Sequence, residues 1–155
     1  MSRWGVRAVI VAAGTIALDQ ATKWVAVKSW EDSPLSLGPA RLSVTRNSGS
    51  AFSLFPGLWW LVFAAVAAVT VAAVTALRRP HPFLMDAGLG LVLGGAWSNL
   101  IDRVLRWPGF PNGRVVDFVD LRVWPVFNAA DSAIVIGVGL LLLGSVRTGE
   151  GAARG

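Results

Sequence analysis

The sequence predicts an all-α membrane protein, a single four-helix domain over residues 1–155. Composition is the first reason. The chain is 54% hydrophobic and 15% charged, whereas soluble domains carry roughly 25% charged residues. The second reason is length: four apolar runs are long enough to cross a bilayer, which takes about 20 helical residues for about 30 Å of hydrocarbon. The third is that up-and-down threading gathers most of the polar residues within those runs at one end.

The first run covers about 5–27 and follows Arg3 and Arg7. It begins like a secretory signal, but "LDQATKW" continues it without a small-x-small cleavage site, so it reads as a retained helix. The second, 58–77, carries no charge. The third, 84–104, contains "GLGLVLGGAW", whose Gly88, Gly90, Gly94 and Gly95 let neighbouring helices approach closely. The fourth covers 127–146. No internal repeat is present.

Alternating spans put both termini and the second connection on one side, with Arg3, Arg7, Arg78, Arg79, Arg147 and Arg154. These cations crowd short segments beside helix ends, which favours that side as cytoplasmic. The long connections, 28–57 and 105–126, then face outward. Trp24, Trp30, Trp59, Trp60, Trp107 and Trp124 fall near the outer interface, a depth tryptophan favours.

Composition also excludes functions. The net charge of +5 is scattered between apolar runs with no basic stripe, so nucleic acid is not an expected partner. There is no cysteine, hence no disulfide or thiolate chemistry. The single histidine, His81, falls in the short inner connection and leaves little room for a histidine triad or histidine-rich metal site.

Charged groups at bilayer depth are costly and mark pairing or function. Asp19 and Lys23 are four residues apart and can pair on one helix face. Asn99 and Arg103 have the same spacing. Asn128 and Asp131 share a face in the first turn of the fourth helix. Asp102 and Arg103 read as a local ion pair, and Asp86 as an acid at the opposite helix terminus. Between the third and fourth runs, "RVVDFVDLRV" is rich in β-branched residues and reads as extended chain. With period two, Asp117 shares a face with Val115, Val119, Leu121 and Val123, and Asp120 shares the other with Phe118 and Arg122. Apolar neighbours favour a protonated Asp117, whereas a helix N-terminus favours an ionised Asp131. Two acids with environments pushing them apart suit acid/base chemistry.

Five blocks in order, "DQATKW" (19–24), "TRNSGSAF" (45–52), "GGAWSNLIDRV" (94–104), "GRVVDFVD" (113–120) and "FNAADSAI" (127–134), give the chain a resemblance. It resembles the lipoprotein signal peptidase (signal peptidase II) family along nearly its whole length. The resemblance implies an intramembrane aspartic endopeptidase of the bacterial inner membrane that acts on diacylglyceryl-modified prolipoproteins. It implies cleavage just before the lipidated cysteine, with Asp117 and Asp131 as catalytic aspartates. Supporting positions carry over to Asp19, Lys23, Asn47, Asn99, Arg103 and Asn128, and Gly95 joins them as site-ordering. The resemblance also implies a small β element, with "RLSVT" as one strand. It implies an interfacial helix too, along which Phe52, Phe55 and Trp59 form an apolar stripe. Membrane lipid is an expected partner; no metal, organic cofactor or obligate protein partner is expected. Departures are Ser98 for the family's usual glycine, with Trp97 before it, "NSGSAF" for "NTGAAF", and Ala129 for a larger aliphatic. The main rival is a small proton- or ion-coupled carrier, against which the acids gather at one end. A serine–lysine mechanism through Lys23 has no serine tied to it.

Overall fold

The computed structural model describes residues 3–48 and 60–153. Their elements are α1 (Arg3–Trp30), β1 (Leu35–Leu37), β2 (Ala40–Asn47), α2 (Trp60–Ala76), α3 (Phe83–Leu105), β3 (Val115–Asp120) and α4 (Ala129–Ala153). The expected interfacial stripe of Phe52, Phe55 and Trp59 lies outside the described residues.

The four helices follow the four apolar runs, with different ends. α1 runs from Arg3 to Trp30 and α4 reaches Ala153, because a helix continues past the end of its apolar stretch. By length and apolarity, α3 and residues Ala129–Val146 of α4 qualify to cross a membrane. α2 is shorter, at 17 residues, and α1 carries Asp19, Lys23 and Lys28 in addition to its arginines.

α3 is the central helix. It packs extensively on α1 and α4, and α2 packs against α3. Glycines make this possible. A Cβ on Gly90 or Gly94 would meet Val11, Ala12 and Thr15 of α1 at under 3.0 Å. A Cβ on Gly95 would stand 2.5 Å from the Ala130 carbonyl oxygen and 2.7 Å from Ile134 Cγ1 of α4. Overpacking of this kind costs about 1–3 kcal/mol. Gly95→Ala is therefore expected to lower the thermal midpoint in detergent and to reduce activity by moving α4; an unchanged midpoint would contradict the packing.

The strands form one sheet in the order β1-β2-β3, antiparallel throughout. Leu37 pairs with Ala40 across Gly38-Pro39. Gly38 has φ 63° and proline cannot follow at positive φ, so the turn is the type II′ that suits strand twist. The "RLSVT" strand is found within β2. β1 was not expected from sequence.

The core is polar. Lys23, Asn128, Asp19, Asp86, Asp102, Asp117 and Ser98 are among the largest fully buried side chains. Ile10, Leu18, Val135 and Leu142 are instead more than half exposed on the helix exteriors. Trp24, Trp60, Trp107 and Trp124 are also exposed, while Trp30 packs against Phe118 with ring centroids 6.1 Å apart.

Candidate active site

α4 begins on a reciprocal cap. Asn128 Oδ1 accepts the Asp131 N–H at 2.9 Å, and Asp131 Oδ2 accepts the Asn128 N–H at 3.1 Å. This is a capping box with aspartate in the acidic position. Because Oδ1 is committed to the cap, Asn128 Nδ2 points the other way. It donates to Asp117 Oδ1 at 2.7 Å and to Asn99 Oδ1 at 3.1 Å. One asparagine thus bonds both aspartates.

Each aspartate has a second donor. Asn47 Nδ2 of β2 donates to Asp117 Oδ2 at 2.8 Å, and Asn99 Nδ2 of α3 donates to Asp131 Oδ1 at 2.9 Å. Asp117 is 2% exposed. Burial, helped by the Asp131 charge, pushes its carboxyl up to about 6 against the lowering effect of the Asn47 and Asn128 amide donors and the Lys23 charge.

This pKa has a consequence for stability. Between the ordinary value of 3.8 and about 6, folded Asp117 keeps a proton that the unfolded chain has released. The folded state then binds more protons, so stability falls as pH rises through that window and levels off above it. The thermal midpoint of the protein minus that of Asp117→Asn is expected to fall from about pH 4 to about pH 7; a rising difference would contradict the assignment.

β3 presents Asp117 differently from the period-two reading. Val115, Val116, Asp117 and Phe118 are all buried, because helices cover the face that alternation leaves to water. The strand ends at Asp120. Leu121 and Val123 do not continue the Asp117 face: Arg122 has φ 62° and Val123 is 90% exposed. Asp120 is half-buried and accepts the Arg122 N–H at 2.8 Å.

Behind the pair lies a second cluster. Lys23 Nζ contacts Asp19 Oδ2 at 2.7 Å and Asp102 Oδ2 at 2.9 Å, and donates to Asn99 Oδ1 at 2.9 Å. These three acceptors use all three ammonium protons. Lysine only donates, so Asn99 must turn its oxygen to Lys23 and its NH₂ to Asp131. Asp102 does not form the expected local pair with Arg103; its partners are Lys23 and Arg106, at 2.7 Å from Arg106 Nε. Arg103 Nη1 is buried with no hydrogen-bond partner among the described residues. Asp86 is in the first turn of α3 as expected, but it is buried, 4.0 Å from Arg7. Among the described residues no three carboxylates or imidazoles converge as a metal would require.

The comparison with known proteins decides the family. The model of signal peptidase (SPase) II matches residues 11–147. The chain belongs to the signal peptidase II family. It is 42% identical over 137 residues to the lipoprotein signal peptidase of Rhodococcus jostii (strain RHA1), covering 86% of this chain and 69% of that protein. It is 40% identical over 151 residues to that of Geobacillus thermodenitrificans (strain NG80-2), covering 90% and 91%. A solved bacterial membrane enzyme matches with TM-score 0.74 and 28% identity, over 88% of this chain and 90% of that one.

Membership in the signal peptidase II family makes the chain a peptidase and accounts for the spaced motifs. The departures also acquire roles. Ser98 donates to Asp19 Oδ2 at 2.7 Å, a bond glycine cannot make. Trp97 turns outward and donates from Nε1 to Thr70 of α2 at 3.0 Å. Sequence reasoning gave no role to Gln20, which donates to Ser98 Oγ and Asp102 Oδ1, each at 3.0 Å. Its spacing of three from Lys23 was the available signal. Gly113 opens the "GRVVDFVD" block. A Cβ there would lie 2.3 Å from the Arg103 carbonyl oxygen, so glycine alone lets β3 start against the end of α3.

Proposed function

We propose that this chain is an aspartic endopeptidase of the bacterial inner membrane. It removes signal peptides from diacylglyceryl-modified prolipoproteins just before the lipidated cysteine. The observation that carries this reading is that one residue, Asn128, donates to both carboxylates, from its side-chain amide to Asp117 and from its backbone N–H to Asp131. Such a pair can hold one proton between two carboxylates.

Asp131 is the base. It lies in the first turn of a helix and accepts two N–H bonds. Asp117, the more buried of the two and raised by that burial, takes the shared proton in the reacting state. A water between them gives a proton to Asp131 as its oxygen attacks the carbonyl carbon before the cysteine. Asp117 gives its proton to the carbonyl oxygen. When the tetrahedral intermediate collapses, the C–N bond breaks and the cysteine amine takes the proton held by Asp131. A carboxylic acid and a free amine result, and Asp117 regains the shared proton from the hydroxyl of the intermediate.

Arg103 supplies a donor for the substrate backbone, since its buried Nη1 has no protein partner among the described residues. Removing such a donor costs about 10²–10³-fold in kcat. Arg103→Leu is expected to lose about that much; a variant of normal kcat would remove Arg103 from the reaction.

An apolar groove of about 350 Å³ adjoins Asp131, lined by Leu121, Trp124, Phe127, Ser132, Val135 and Ile136. It suits an apolar segment of the substrate next to the scissile bond. The polar core and apolar exterior support four spanning helices, because lipid reverses the usual inside-out balance of solvation. Both termini are placed in the cytoplasm, with the aspartates near the outer face.

The test is a gel-shift assay of the purified protein in detergent with a diacylglyceryl-modified prolipoprotein. A shift with the lipidated form and none with the unlipidated form is expected. Intact lipidated substrate would overturn the reading.

A further inference from the structure

Each aspartate of the pair is preceded by a residue whose backbone N–H is held by a buried carboxylate. The Val116 N–H, just before Asp117, donates to Asp102 Oδ2 at 3.1 Å. The Ala130 N–H, just before Asp131, donates to Asp19 Oδ1 at 2.8 Å. Asp102 and Asp19 are the two carboxylates that share the Lys23 ammonium, at 2.9 and 2.7 Å. All three side chains are fully buried. A strand and a helix distant in sequence are thus tied to a single cation.

The Ala130 bond meets a specific need. Its N–H is among the first four of α4, which have no partner inside the helix. Helix caps usually come from the chain just before the helix. Here the acceptor comes from α1, more than a hundred residues away, so it fixes the helix start to another element as well as satisfying the donor. The Val116 bond does the same for β3 from α3. A third arm, Lys23 to Asn99 to Asp131, reaches the carboxylate itself.

We infer that Asp19, Lys23 and Asp102 form one positioning unit that sets the separation of Asp117 and Asp131. They act through the Val116 and Ala130 amides and through Asn99. This inference rests on the aspartate pair being the reacting groups.

The experiment uses Asp19→Ala and Asp102→Ala in the full-length protein. Each leaves Lys23 with one carboxylate, so neither strands the cation. In Asp102→Ala, Arg106 is one-quarter exposed and can turn to solvent. Misplacing reacting groups by about 1 Å costs on the order of 10²-fold. Each variant is therefore expected to lower kcat by about 10²-fold with KM within about twofold. The bell-shaped pH profile of kcat/KM should also narrow, because carboxylates set further apart split their apparent pKa values less. Gly88→Ala is the control. It overpacks α3 against Gly137 and Leu141 of α4, remote from the site, and should lower the thermal midpoint while keeping kcat.

Normal kcat in either alanine variant, an unchanged bell width, or an equal kcat loss in Gly88→Ala would overturn the inference. Should the alanine variants not fold, amide exchange in the unaltered protein decides: Val116 and Ala130 must rank among its slowest amides, and fast exchange at either overturns the unit. Asp131→Asn runs alongside. Its full activity would refute the aspartate pair itself, a result distinct from failure of the positioning unit.

Discussion

Asp117→Asn and Asp131→Asn are each expected to abolish prolipoprotein processing, with a loss of at least about 10³-fold. A positioned acid or base contributes about 10²–10⁴-fold, and groups acting as a unit are lost together when either is removed. Both variants keep the size and an acceptor oxygen at each position, so the fold should survive. In Asp131→Asn the Asn128 N–H can still find an oxygen, which preserves the helix start. Asp120→Asn is the matched control, since the Asp120 carboxylate accepts the Arg122 N–H of its own turn. It should retain substantial activity. Gel-shift rates for the three folded variants test this together. Full activity in either of the first two removes the pair from the chemistry, and complete loss in the third would relocate it.

Lys23→Met is expected to be the substitution most damaging to folding. Methionine has similar length but removes the cation between Asp19 and Asp102, both 0% exposed, leaving Asp19 without a cation and Asp102 with Arg106 alone. Breaking a buried pair by removing one partner costs about 3–5 kcal/mol, a large share of the roughly 5–15 kcal/mol that keeps a domain folded. The cost comes from stranded charge. Lys23→Met combined with Asp19→Asn and Asp102→Asn should therefore be more stable than Lys23→Met alone, although it has lost more ion pairs. Thermal midpoints in detergent decide between this and simple loss of contacts. A triple variant less stable than the single one would show that the ammonium contributes attraction beyond neutralising two acids.

Much of this site was legible in the chain. The three- and four-residue spacings correctly put Asp19 with Lys23 and Asn128 with Asp131. The glycines of "GLGLVLGGAW" correctly announced close helix packing. Spacing fixes a face, however, and does not name the partner across it. Asp102 was paired with its neighbour Arg103, but adjacent residues on a helix point about 100° apart. Asp102 therefore turns inward to Lys23 while its i,i+4 partner is Arg106. The β3 alternation failed for a similar reason: period two marks a half-buried strand, and helices cover both sides of Val115–Phe118. β1 escaped notice because it has only three residues, all exposed, so it carries no burial pattern. Its signal was the turn "LGPA" between two short β-like runs. The bonds from Asp19 to Ala130 and from Asp102 to Val116 involve backbone donors, which no side-chain motif encodes.

The measurement that tests the account most directly is mass spectrometry of the products formed by the purified protein from a diacylglyceryl-modified prolipoprotein. Water attack directed by Asp117 and Asp131 predicts two products: a signal peptide ending in a free carboxylate, and a mature chain whose first residue is the lipid-bearing cysteine. In water enriched in ¹⁸O, one heavy oxygen should enter that new carboxylate, and Asp117→Asn should yield neither product. A cut at any other bond, or the same products at full rate from Asp117→Asn, would contradict it.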